Sequence, residues 1–201
     1  MVELSFVIGT LVLFALVLPA LLQPKVRRCC RISCSSNLKQ IGLAFRMFAN
    51  DHGERFPMQV SVVEDGTKGI PLKDLAVATF ASISNELNNP KPLACPHDSE
   101  RERTVDFTKL AVTNISYFVG LDASEYPFSI LAGDRNVSVS GRLTSGLVEI
   151  TNPVSAAWGP RMHVNQGNVA LADGSAHGLD NWLLRNILTN TCLATNRFLI
   201  P

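Results

Sequence analysis

From Leu4 to Leu22 the chain carries no charged residue, and Ser5 and Thr10 are the polar side chains in that stretch. About 20 apolar residues, rising 1.5 Å each as a helix, match the roughly 30 Å hydrocarbon layer of a bilayer, so this stretch is long enough to span one. A cleaved secretory signal would show a basic start, a shorter apolar core and a small-residue cutting site. Here Glu3 precedes the run, Pro24 and Lys25 follow it, and no small-x-small site closes it, so the segment is read as a retained anchor over residues 1–24. Pro19 lies inside the run, where membrane helices tolerate a kink.

The rest, residues 25–201, has room for one ordinary domain. A formal net charge of +1 creates no field that would gather nucleic acid, and no nucleic-acid partner is expected. Lys25, Arg27, Arg28 and Arg31 follow the apolar run directly, and the positive-inside tendency alone would put that side in the cytoplasm. The five cysteines, Cys29, Cys30, Cys34, Cys95 and Cys192, have neither an even count nor a C-x-x-C spacing. Two readings of Cys34 and Cys95 stay open: a bridge in an exported head, or two buried thiols.

Beyond the anchor the pattern predicts a helix continuing to about Asn50, because Cys34, Leu38, Ile41, Phe45 and Phe48 recur at steps of three and four. Asn50, Asp51, His52 and Gly53 end it, with Gly53 suited to a left-handed position. A second helix is predicted from Pro71 to about Leu87, with Leu72, Leu75, Ala76, Thr79 and Ile83 as its stripe. Short β-like runs follow at Leu93–Cys95, Ile115–Val119, Ser129–Leu131 and Leu147–Ile150, which read as an antiparallel sheet. The clearest hairpin is Asn168–His177, where Asp173-Gly174 is the dipeptide of a tight type I′ turn. A third helix, Asp180 to about Leu188, takes Asp180 or Asn181 as its cap.

The stretch C-S-S-N-L-K-Q-I-G-L-A-F at Cys34–Phe45, then F-A-N-D-H-G-E-R-F-P at Phe48–Pro57, resembles the helix and first turn of bacterial pseudopilin-like proteins. These are relatives of the major pseudopilin of type II secretion and of type IV pilins. The resemblance continues through L-A-C-P-H-D at Leu93–Asp98, I-S-Y-F-V-G-L-D-A at Ile115–Ala123 and I-L-A-G-D-R-N at Ile130–Asn136. It ends with G-N-V-A-L-A-D-G-S at Gly167–Ser175 and A-T-N-R at Ala194–Arg197. It implies a pilin-like α+β fold: a long N-terminal helix, half transmembrane and half amphipathic, packed on a small antiparallel β-sheet. It also implies a single-pass protein of the bacterial inner membrane, with its head in the periplasm and pilin-like subunits or secretion-system components as partners. Glu3 is the acid nearest to where the family's assembly glutamate falls, and so the assembly candidate. The family's leader ending in glycine is not seen before it, which suggests either a start codon placed too far downstream or an anchored member that is not processed.

No catalytic centre is expected. His163, Asp173 and Ser175 are the residue types of a hydrolytic triad, but no G-x-S-x-G elbow surrounds a serine, and Asp173 is explained by its turn. Cys95, His97, His163 and His177 are zinc-ligand types without a ligand spacing. No cofactor is expected, with calcium as the alternative: the resemblance extends to pseudopilins that hold it in a C-terminal loop, and Asp173 and Asp180 supply hard oxygens. The functional expectation is a structural subunit of a secretion or pilus assembly, with a membrane-tethered binding module outside any filament as the alternative.

Overall fold

The computed structural model describes residues 31–201. Its first element, α1, is the helix over 31–51. The stripe read from the sequence is its inner face, with Cys34, Leu38, Ile41, Phe45 and Phe48 all buried, while Lys39 and Gln40 face outward. The Glu54 amide donates to the Ala49 carbonyl at 2.8 Å across Gly53 at φ +64°, the six-to-one closure that glycine permits. The second helix is split. The run Leu72–Ser82 (α2) breaks at Ile83, and Ser84–Leu87 (α3) ends on Asn88 in a left-handed conformation. Phe80 takes the inward position, and Leu72, placed in the stripe by periodicity, is about half exposed.

Nine strands follow: Tyr117–Gly120 (β1), Ile130–Asp134 (β2), Val137–Val139 (β3), Arg142–Leu143 (β4), Gly146–Ile150 (β5), Ala156–Trp158 (β6), Gly167–Leu171 (β7), Ala176–Leu179 (β8) and Asn196–Ile200 (β9). The helix Asn181–Asn190 (α4) lies between the last two, and the Asp180 carboxylate accepts from the Leu183 amide at its start. Six strands form one sheet in the order β5-β9-β1-β2-β7-β8, and β4-β3-β6 form a second. Every strand pair is antiparallel.

Side chains alternate across the large sheet as the pleat requires, except at a register shift in β2 between Ile130 and Ala132, which puts Leu131 and Ala132 on one face. Tyr117, Val119, Leu131, Ala132 and Ala170 pack with α1, whereas Phe118, Ile130, Val169, Leu171, Phe198 and Ile200 pack with α4 and the small sheet. Both faces are therefore covered. That explains why β1, β2 and β7 are buried at every position and read as continuous apolar runs without alternation.

This architecture corrects the predicted fold class. A long half-transmembrane helix on a small sheet is not what the described residues form: α1 covers 31–51, and no helix among them is long and apolar enough to cross a membrane. The physical reason is that α1 carries Arg31, Lys39 and Arg46 and turns its apolar stripe into the protein. The sheet is also a central layer between two others, not a small sheet with one helix laid on it. The predicted strand Leu93–Cys95 is likewise replaced by a 3₁₀ turn at Lys91–Leu93, since Pro90, Pro92 and Pro96 remove the amides a ladder needs. The anchor over 1–24, Pro19 and Glu3 lie outside the described residues.

Candidate functional site

Four separate segments bring polar side chains into the layer between α1 and the large sheet. The first two turns of α1 supply Cys34 and Asn37; the loop after the 3₁₀ turn supplies Cys95, His97, Asp98 and Glu100. The end of β2 and the residues beyond it give Asp134, Arg135 and Asn136, and the β6–β7 connection with the start of β7 gives Arg161, His163 and Asn168.

Cys34 and Cys95 form a disulfide, so of the two readings left open by the sequence the bridge is the one observed. It ties α1 to the sequence-distant loop, closing 61 residues of chain, for which loop-closure entropy gives about 4 kcal/mol of stabilisation. Cys192 is free and exposed.

Beside the bridge, His163 Nε2 lies 3.5 Å from Cys95 Sγ and 3.5 Å from Asp134 Oδ2. The same Asp134 oxygen accepts two 2.7 Å hydrogen bonds from Asn168, one from its amide and one from its side chain. Asp134 Oδ1 is buried and finds no partner among the described residues. Burial raises the Asp134 carboxyl to about 7 despite the two Asn168 donors. Burial, together with the charges of His97 and Arg31, lowers His163 to about 4. These opposite displacements make the pair a neutral imidazole beside a mostly protonated or just-titrating carboxyl, not an ion pair, although 3.5 Å would allow one.

The loop around His163 is held in an uncommon backbone shape. Met162, Val164 and Asn165 have φ of +60°, +48° and +58°, and the His163 amide donates to the Arg161 carbonyl at 2.8 Å, a tight turn about Met162. Positive φ at a β-branched valine costs on the order of 1–3 kcal/mol. Asn136 offsets this by clamping both ends of the loop, donating from Nδ2 to the Gly159 and Gln166 carbonyls at 3.1 and 3.0 Å.

A second knot adjoins the first. Arg135 makes a two-pronged contact with Asp98, at 2.7 and 2.8 Å, and reaches Glu100 at 2.8 Å, which also receives Arg161 at 3.2 Å. Burial works to raise the Asp98 carboxyl, but the Arg135 guanidinium more than offsets it and holds it below the usual range. A cavity of about 530 Å³ opens beside the two knots, lined by Arg31, Ile32, His97, Met162, His163 and their neighbours.

The residues singled out by sequence are dispersed. His163 is not joined to Asp173 and Ser175: the Ser175 hydroxyl pairs with His177 at 2.8 Å on the exposed hairpin, and Asp173 Oδ1 accepts from the Ser175 amide. Asp173 and Gly174 sit in the β7–β8 connection, but Asp173 does not have positive φ, and the turn is a three-residue loop in which Gly174, at φ +77°, donates to the Leu171 carbonyl. Of the zinc-ligand types, Cys95 and His163 meet, His97 stacks at 5.8 Å from His163, and His177 stays on the hairpin. Asp173 and Asp180, the calcium candidates, each cap a backbone turn of their own. Asp98, Asp134, Arg135, Asn136 and Asn168 were missed by sequence reasoning; the available signal was a D-R-N triplet closing an apolar strand, which solvent does not explain. Comparison with family models, with curated proteins and with solved structures finds no match to this chain.

Proposed function

We propose that the protein is an extracytoplasmic structural subunit of pseudopilin type, held at the bacterial inner membrane by the apolar segment Leu4–Leu22 and associating laterally with other pilin-like subunits or secretion-system components. The observation that carries this reading is the buried Cys34–Cys95 disulfide. Such bridges persist in oxidising compartments, so it supports export of everything after the anchor, against the pull of Lys25, Arg27 and Arg28. The outward side of α1 supplies a contact surface: Ile32, Leu43 and Met47 are exposed apolar residues at helical spacing on the face away from the core. Association through that face is tested by Met47→Cys in a background that also carries Cys29→Ser, Cys30→Ser and Cys192→Ser, followed by oxidative cross-linking in intact cells. One new thiol per chain joins two chains, so a disulfide-linked dimer is expected; recovery of monomer alone would exclude lateral association through α1. The tethered binding module is favoured by a different observation, the cavity beside His163, and saturable ligand binding there with no cross-linked dimer would make it the better reading.

A further inference from the structure

We propose that Cys34, Cys95, His163 and Asp134 form a closed four-ligand zinc site when the Cys34–Cys95 pair is reduced, so that the same buried point is fastened by either a disulfide or a metal ion. Thiolate sulfur, imidazole nitrogen and carboxylate oxygen are the ligands zinc takes, and four protein ligands make a structural site.

The geometry is close to that of such a site. The ligand atoms of Cys34, Cys95 and His163 all lie within 4.8 Å of one another, and all three residues are buried. Tetrahedral zinc with bonds near 2.0–2.3 Å sets ligand-to-ligand edges of about 3.3–3.8 Å. The Cys95 Sγ to His163 Nε2 separation is 3.5 Å; Asp134 stands outside the three-residue group but approaches the same nitrogen to 3.5 Å through Oδ2, and its carboxylate must turn toward the sulfurs to complete the set with Oδ1. The two sulfurs need only move apart once their bond is broken, by rotation of side chains whose Cα atoms are 5.4 Å apart.

Two further observations point to a cation. Asp134 is fully buried, and its Oδ1 has no hydrogen-bond partner among the described residues, an unfavourable arrangement that a metal ion on that oxygen would relieve. The supporting shell is already built: Asn168 holds the other carboxylate oxygen with two donors, and the clamped loop with its positive-φ residues keeps His163 turned inward. His163 also borders the cavity, which gives an ion a way in.

The chemistry balances with a dithiol as reductant. The disulfide takes two electrons and two protons, the dithiol is oxidised to its own disulfide, and two thiols result. Zinc then displaces both thiol protons and binds the two thiolates. In the reverse exchange a small-molecule disulfide takes two electrons from the pair and leaves as two thiols, the Cys34–Cys95 bond re-forms, and the loss of two of the four ligands expels the ion.

The test uses the full chain in detergent, carrying Cys29→Ser, Cys30→Ser and Cys192→Ser so that no thiol outside the pair can contribute, reduced under anaerobic conditions and freed of the dithiol. Cobalt is titrated in as a spectroscopic stand-in and then displaced by zinc. The expected result is one equivalent per chain, with the visible bands of tetrahedral cobalt and a thiolate charge-transfer band, and no binding by the oxidised chain. His163→Gln and Asp134→Asn should each weaken cobalt binding at least about tenfold. Their folding is checked separately in the oxidised form, where the disulfide holds. Absence of tetrahedral bands in the reduced chain would overturn the proposal. So would equal binding by oxidised and reduced chains, or affinity unchanged in both variants.

Discussion

The two faces of the six-stranded sheet are held by different physics. Behind it, α4 and the small sheet close over Phe118, Ile130, Val169, Leu184, Leu188, Trp158 and Phe198, an apolar layer in which Phe118 and Phe198 lie 4.5 Å apart. In front, α1 covers a larger apolar layer crossed by a disulfide, and Asp98, Asp134, Arg135, Asn136, His163 and Asn168 are buried beside it. Burying charge is costly even when it is paired, and an apolar replacement is often no less stable. The front therefore holds groups that stability alone does not require, and it is the side that carries the candidate site.

The largest expected effect tests whether the front depends on its cross-link. Cys95→Ser should lower the unfolding free energy by about 4 kcal/mol in a denaturant titration, the loop-closure value for this separation. On the back, Leu184→Ala should cost about 2–5 kcal/mol, because a fully buried leucine loses its transfer energy and leaves a cavity. The comparison sharpens when both proteins are melted with and without reductant. Leu184→Ala should keep its full sensitivity to reduction, and Cys95→Ser should have none. Equal sensitivity in the two would break the distinction between the faces.

Next in size is a pH effect confined to the front. In the folded state His163 titrates near 4 instead of 6.5, so it binds less proton than in the unfolded chain, and it makes stability rise with pH between about 4 and 6.5. Asp134 titrates near 7 instead of 3.8, binds more proton when folded, and makes stability fall between about 4 and 7. Over the shared window the pair holds one proton in either state, and its two slopes, each up to about 1.4 kcal/mol per pH unit, cancel. In the oxidised protein, His163→Gln should therefore lose stability relative to wild type as pH rises from about 4 to 6.5, and Asp134→Asn should gain it. Parallel pH profiles for wild type and both variants would show that the pair is not buried as described. The smallest effects belong to the exposed β7–β8 turn. Gly174→Val should cost about 1 kcal/mol or somewhat more, because valine is strained at φ +77°. Asp173→Asn should be nearly silent in the same melts, since the amide oxygen can still accept from Ser175.

The parts of this molecule that the sequence makes legible are those fixed by neighbours along the chain. The stripe of α1 is visible because steps of three and four decide which side chains share a face, and the β7–β8 hairpin because Asp173-Gly174 punctuates it. Strand β9 was not recognised: it lies between β5 and β1, partners far away in sequence, and its apolar N-R-F-L-I run has no local turn to mark it. The two-sided burial of the sheet hides the alternation that distinguishes strands, so nothing in the runs themselves opposes the small sheet that the resemblance implies. The front site was hardest to read for a related reason. Its members come from four segments, and a metal or catalytic spacing exists only when ligands share a helix or a turn. Cys95 and His163 were recognised as ligand types, but nothing near either residue indicates that Cys34 and Asp134 meet them.

The Cys34–Cys95 bridge both supports export and fastens α1 to the front of the sheet. Protein taken from cells by acid quenching, alkylated without reduction and digested, can be read by mass spectrometry peptide by peptide. The expected result is a cross-linked peptide pair containing Cys34 and Cys95, with Cys192 alkylated. Recovery of Cys34 and Cys95 as separately alkylated peptides, at the same level as Cys192, would contradict it.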